Sequence, residues 1–302
     1  LSKFRKQPGS GRVPIMDLTI PQKKELDFFP EGLYVGVSSV QDAFIVQALH
    51  PVRLLLELNS ETEYDLLKKD SAASPVLPYS KKMVFITLDP YVPEASYAAL
   101  EQKTDALIKK GYLNFVVNNL SHLAILKKRV KTDGVHLIAG PYLYTFNRWA
   151  VSFLENQGLM AFQMPYENSQ ANLSKTFLTP VERSRVLVPV FAYPVLFRMR
   201  FKLPSDYDFT YFADKEGTEF KVNSTADGSF VMPEFPFSIL DRIQTLKKEG
   251  WKCQLIDFFK TRVLKSNMKD IITMMQTGTT VQDGSRFNWK DGFYNEEKME
   301  AY

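Results

Sequence analysis

Seven polar side chains follow successive apolar runs in this chain: Glu57, Asp89, Asn118, Asn119, Glu167, Tyr193 and Asp257. These types suit acid–base chemistry on a polar substrate. Two carboxylates sharing a pocket push their pKa values apart, so that one holds a proton near neutral pH while the other does not. Amides beside them orient the substrate's polar groups. A plainer reading is equally physical, because Asp, Asn and Glu after a strand commonly cap the next helix or close a turn. Signatures of other chemistries are missing: there is no Gly-Lys-Ser/Thr phosphate loop, no Gly-x-Ser-x-Gly elbow and no His-Glu-x-x-His pair. His50, His122 and His136 are not at metal-ligand spacing and read as cap, packing or surface residues. Cys253 is the single cysteine, which excludes an intramolecular disulfide and a multi-thiolate metal site. Neither metal nor cofactor is expected.

The runs ahead of these residues are Leu33 to Val37, Val52 to Leu58, Met83 to Leu88, Leu113 to Val117, Val135 to Ala139, Met160 to Met164, Val186 to Ala192 and Cys253 to Ile256. Each is short and rich in Val, Ile, Leu or Phe, and most precede a stretch with helical spacing. Strands buried on both faces of a parallel sheet read this way. The cadence predicts an α/β fold, a (β/α) barrel of the TIM type, in which polar residues after the strands gather around one mouth. Between Ala192 and Cys253 the rhythm breaks. Phe209 to Phe212 and Glu219 to Val222 flank Asp214, Lys215, Glu216 and Gly217, which predicts a β-hairpin inserted after the seventh strand, near residues 207–232. Residues 1–32 read as an irregular lead-in packed on the barrel edge, 33–276 as the barrel, and 277–302 as an extended tail. Predicted helices include Ser39 to His50, Ser60 to Lys69 and one running from Pro93 and Glu94 to Lys110.

The 302 residues, 45% of them hydrophobic, are enough for one large core. A net charge of +4 from 38 basic and 34 acidic residues neither demands nor excludes nucleic acid. Lys127, Lys128, Arg129 and Lys131 read as a solvated helix end. Arg198 and Arg200 suit a bidentate clamp on a carboxylate or phosphate, or a salt bridge at the rim. No run approaches the roughly 20 apolar residues of a membrane span, and Leu1 to Arg12 lacks a signal-peptide core, so a cytoplasmic location without a membrane partner is expected. Because the chain opens on Leu, it is expected to be either a piece of a longer protein, which could carry a further module upstream, or a processed chain.

The order of segments resembles the carboxyl-terminal barrel module of peptidase family U-thirty-two, the collagenase-like peptidases. Leu33 to Leu58 is similar to the opening of that module, and YLNFVVNNLSHLAIL (112–126) to its strand, Asn-containing turn and helix. YLYTFNRWAVSFL (142–154) resembles its Asn-rich strand end, MPYEN (164–168) its Ser-x-Glu turn with Glu167 at the glutamate, VPVFAYPVLF (188–197) its seventh strand, and FNWKDGFY (287–294) its closing segment. The resemblance implies a hydrolase or an RNA-modification-associated barrel acting on peptide or RNA. In it Glu167 would be general base or substrate anchor, Asn118 would orient a polar group, and Asp89 would stand at the mouth. Tyr193, Arg198, Glu57, Tyr142 and Asn147 would contact substrate, Arg198 holding an anionic end. Two departures stand out: the four cluster-binding cysteines of the family's hydroxylases and the Gly-Ser-Cys peptidase signature are absent, Ala192, Tyr193 and Pro194 occupying the latter's place. A non-catalytic module that recognises a polymer through Tyr142, Tyr144 and Tyr193 is the alternative.

Overall fold

Each of the eight apolar runs becomes a strand. They are β1 (Gly32–Val37), β2 (Arg53–Glu57), β3 (Val84–Thr87), β4 (Asn114–Val117), β5 (His136–Ala139), β6 (Leu159–Gln163), β7 (Val186–Ala192) and a last strand, Cys253–Asp257. The computed structural model describes residues 26–204, 211–213, 215, 217, 219–225, 228–282 and 284. Neighbouring strands pair in parallel from β1 through β7, Val186 and Leu187 of β7 lie against Phe162 and Gln163 of β6, and the last strand pairs with both β7 and β1. The sheet therefore closes into the eight-stranded parallel barrel that the cadence predicts. Helices pack outside it: α1 (Val40–Ile45), α2 (Ser60–Tyr64), α3 (Tyr97–Lys109), α4 (Ser121–Thr132), α5 (Arg148–Asn156), α6 (Gln170–Thr176), α7 (Pro180–Arg183), α8 (Ile243–Lys248) and α9 (Lys265–Thr277).

Local sequence sets several helix starts. Ser39 accepts the amide of Asp42 at 3.0 Å, while Asn59 rather than Ser60 caps α2 in a reciprocal box with Thr62. The segment predicted as one helix from Ser39 to His50 is α-helical only to Ile45, then turns 3₁₀ over Val46–Leu49 and stops where His50 takes φ 48°.

The insertion after β7 is larger than a hairpin. β8 (Phe197–Met199), β9 (Tyr211–Ala213), β10 (Glu219–Thr225) and β11 (Gly228–Pro233) form an antiparallel sheet in the order β8, β11, β10, β9. The predicted arms pair within it, Phe212 opposite Phe220, although residues 209, 210, 214 and 216 lie outside the described residues. β12 (Phe237–Ser238) then returns antiparallel to β7 before α8 and the last strand, β13 (Cys253–Asp257).

Two apolar layers hold the barrel. One lies between strands and helices; the other fills the interior with Tyr34, Leu55, Phe85, Val116, Ile138, Ala161, Leu187 and Leu255. Below them residues 26–31, the described end of the lead-in, fold under the barrel. Phe29 is buried against Tyr34 and Phe85, Phe28 stacks on His136 with ring centres 4.2 Å apart, and Arg53 fixes the turn by donating to the carbonyls of Phe28 and Asp27. Of the lead-in, residues 1–25 lie outside the described residues, as do 285–302 of the tail, with the FNWKDGFY segment. Removing a buried aromatic from such a layer forfeits its transfer energy and leaves a cavity. Phe29→Ala is expected to lower stability by about 3 kcal/mol, and Phe235→Ala, 43% exposed, by less than about 0.5 kcal/mol. Urea unfolding of the two variants checks the contrast.

Candidate functional site

Alternation along the strands decides what fills the mouth. Two positions beyond the apolar interior residues, the same inward faces of β2, β3, β4, β6 and β13 carry Glu57, Thr87, Asn118, Gln163 and Asp257, all buried. A polar layer thus lies directly on an apolar one. On β5 the equivalent position is Gly140, where an added Cβ would stand 1.8 Å from Asn118 Oδ1, so the missing side chain is the space the amide occupies.

The acidic members are each tied to a donor. Glu57 accepts from Ser38 Oγ at 2.5 Å and forms an ion pair with Lys260. Lys260 has φ 60°, an unfavourable conformation for a residue with a Cβ. It is held there from two sides: its amide donates to Ser38 Oγ at 2.9 Å, and Asn223 of the inserted sheet donates to its carbonyl at 3.0 Å. Asp89, just past β3, pairs with Arg198 of β8. Burial is the largest single influence on Arg198 and opposes its charge, but the bond to Asp89 together with the charges of Asp89 and Glu57 raises its pKa overall. Phe230 of β11 is buried between the two cations, its ring centre 4.6 Å from Lys260 Nζ and 5.3 Å from the Arg198 guanidinium.

Asp257 differs from the other two. It receives hydrogen bonds from the Tyr166 hydroxyl and the Phe259 amide but, among the described residues, no cation. Burial pushes its carboxyl up to about 7; those two bonds pull the other way, and the charge of Glu57 adds to the rise. Tyr142 above it has its hydroxyl pKa raised by burial and then by the charges of Asp257, Glu57 and Asp89.

The amides of the layer are unfilled. Gln163 has neither Oε1 nor Nε2 bonded among the described residues, and Asn118 Oδ1 and Thr87 Oγ1 also lack partners. Each buried unsatisfied group costs about 1–3 kcal/mol, a penalty that a polar ligand would relieve. Asn118 is otherwise fixed: its Nδ2 donates to Leu88 O at 2.9 Å, and its backbone amide to His122 Nδ1 at 3.3 Å. Burial depresses His122 to about 4, so the ring is neutral and accepts that bond. Together the groups line a cavity of about 250 Å³ walled by Tyr142, Tyr144, Tyr166, Tyr193 and Phe259.

Of the predicted site residues, Glu57, Asp89, Asn118, Tyr142, Tyr193, Arg198 and Glu167 border this cavity. Their depths differ. Glu167 is exposed on the rim, whereas its neighbour Tyr166 reaches the floor. Tyr193 packs edge-on against Phe191, with Lys221 4.4 Å from its ring. Asn147 is not among the lining residues; it caps α5, accepting the amide of Ala150 at 2.9 Å. Asn119 closes the turn before α4, donating to Pro90 O and accepting from Ser121. Cys253 lies in the barrel interior, and burial pushes its thiol up to about 12. The basic run is spent on neighbouring helices, with Arg129 2.5 Å from Asp105 and Lys127 2.8 Å from Gln157. Sequence reasoning passed over Thr87, Gln163, Tyr166, Phe230 and Lys260. The one available signal was phase, since Thr87 and Gln163 stand at the same alternation step as Glu57 and Asp257. Among the described residues no group of three His, Cys, Asp or Glu side chains is placed to hold a metal ion, and no helix is long and apolar enough to cross a membrane.

No protein-family model matches the chain, and no curated protein matches it. Among solved structures it is similar to the spore cortex-lytic enzyme SleL of Bacillus megaterium, at 10% identity over 80% of this chain and 74% of that one, with a TM-score of 0.38. It is also similar to a GH18 chitinase from Cycas revoluta, at 11% identity over 81% of this chain and 98% of that one, with a TM-score of 0.36. Neither likeness bears on the reaction, and the barrel assignment stands on the strand pairings themselves.

The raised carboxyl has a thermodynamic signature. Between the ordinary Asp value of 3.8 and about 7, the folded chain holds a proton on Asp257 that the unfolded chain has released. Stability therefore falls as pH rises through that window, by up to about 1.4 kcal/mol per pH unit from this group. Asp257→Asn is expected to flatten the slope in urea unfolding between pH 4.5 and 6.5, and coincident slopes for the two proteins would show that Asp257 is not the titrating group.

Proposed function

We propose that the chain is a hydrolase barrel related to the collagenase-like peptidases, taking a polymeric substrate across its mouth. The observation that carries this reading is the buried polar layer in which an acid with its pKa near neutrality, Asp257, stands beside amides that have no partner of their own. An acid of that strength both accepts and returns a proton at physiological pH. Asp257 takes a proton from water as the water oxygen attacks a substrate carbonyl, and gives it to the leaving nitrogen as the C–N bond breaks. Gln163 Nε2 donates to the developing oxyanion, and the Lys260 ammonium, which also borders the cavity, adds positive charge to the layer. Tyr166 orients Asp257, Asn118 orients the substrate, and Glu167 anchors it at the rim. The kinship is supported by the way the segments that resemble the family converge: Asn118, Tyr142, Tyr166 and Tyr193, one from each of four such segments, border one cavity.

A binding module without catalysis is the second reading, and one observation favours it. Glu57 and Asp89 are already neutralised by Lys260 and Arg198, as befits residues that shape a pocket. Incubation of the protein with a defined peptide mixture and with RNA oligonucleotides, read by mass spectrometry for turnover and by anisotropy for binding, separates the readings. Asp257→Asn is expected to lower peptide turnover by about 100-fold or more while binding changes less than about threefold. Turnover that survives Asp257→Asn overturns the assigned role, and wild-type binding with no turnover establishes the second reading. Turnover confined to RNA transfers the site to the RNA-associated activity.

A further inference from the structure

Two further cavities adjoin the central one, and their chemistry is opposite. Toward β2 and β3 lies a space of about 500 Å³ that shares Asp89 and Arg198 with the mouth. Its lining includes three cations, Lys103, Arg198 and Arg200, against two carboxylates, Glu63 and Asp89. Both carboxylates are engaged, Glu63 by Lys103 at 2.5 Å and Asp89 by Arg198. Arg200 is left over. Its guanidinium lies 3.7 Å from the ring centre of Tyr91, and no carboxylate pairs with it among the described residues. A guanidinium laid flat on an aromatic face keeps its N–H edge available, and that edge matches a carboxylate in two parallel hydrogen bonds.

Toward β4 and β5 a space of about 450 Å³ shares Pro90, Asn118, Tyr142 and Tyr144 with the mouth. None of its lining residues is charged. Leu120 and Phe153, each about half exposed, offer apolar surface directly beside the polar floor. Apolar side chains exposed together at the edge of a binding cavity mark contact with a partner rather than core filling.

We infer that the mouth has a cationic subsite beside β2 and β3 and an apolar subsite beside β4 and β5, so that its polymer is a peptide carrying an acidic residue and, a few positions away, an aromatic or large aliphatic residue. This deepens the proposed function and rests on it. A polynucleotide fits less well, because it brings a phosphate with every nucleotide and the apolar flank holds no Lys or Arg to meet one. A peptide backbone is neutral and leaves charge to its side chains.

The test uses fluorescein-labelled decapeptides with one Glu and one Phe placed about two to five residues apart in both orders, the span of three joined cavities at roughly 3.3 Å per extended residue. Anisotropy is expected to show these peptides bound about ten-fold more tightly than versions with Glu→Gln or Phe→Ser. Arg200→Gln abolishes the preference for Glu and leaves that for Phe; Leu120→Ser and Phe153→Ser do the reverse. All three positions are exposed, and equal melting temperatures confirm that the variants fold. Peptides bound with no such preference, or Arg200→Gln weakening the Glu and Gln peptides equally, overturn the inference while the proposed function stands. Absence of binding to any peptide, or tight binding of a single-stranded oligonucleotide instead, overturns both.

Discussion

Closure of the barrel imposes one constraint from which the site follows. When eight parallel strands meet in a ring, the inward-facing residues at one level share a single space, and those at the last level have apolar neighbours below and solvent above. In this chain five of those positions are polar, and water cannot reach all of them. Glu57, Thr87, Asn118, Gln163 and Asp257 must then satisfy one another, recruit groups from outside the barrel, or stay unsatisfied. The second and third outcomes occur side by side.

Recruitment explains why the loops and the inserted sheet are built as they are. Burying a lone carboxylate is prohibitive, so each acid draws in a donor. Glu57 holds Lys260, whose left-handed backbone is stabilised by Ser38 and Asn223; Asp89 holds Arg198 from β8. Phe230 joins the two, since a ring face beside each cation replaces part of the hydration it lost. Asp257, with a phenol and an amide but no cation among the described residues, has its carboxyl pushed up to about 7 instead. Two acids in one layer thereby come to differ in their partners, a cation for one and a phenol for the other.

The barrel was legible in the sequence because strands buried on both faces cannot hide their apolar runs, and all eight appear within a residue or two of where the runs lie. The same double burial concealed part of the site. Gln163 sits inside the run Met160 to Met164, where inward and outward residues are equally apolar, so its direction cannot be read without the fold. Lys260 was invisible for another reason, as its reach to Glu57 depends on a backbone turn of positive φ that no motif announces. Asp89, Asn118 and Tyr193 were legible because each follows its strand directly. Asn147, selected on resemblance, caps α5, the role that Asn before an apolar stretch most often takes. Phe28 and Phe29 lie in a segment whose prolines suggested an irregular edge; two adjacent aromatics were the sign that it has a core to fill.

That aromatic turn beneath the strands makes the barrel a vessel with a sealed base. Arg53 staples the turn from outside and Phe29 fills it from within, so that among the described residues the apolar layer closes the axis. A ligand entering the mouth above such a closed layer leaves the way it came, and displaced water shares that exit. A long chain can lie across such an opening or dip a loop into it, but it cannot be threaded through.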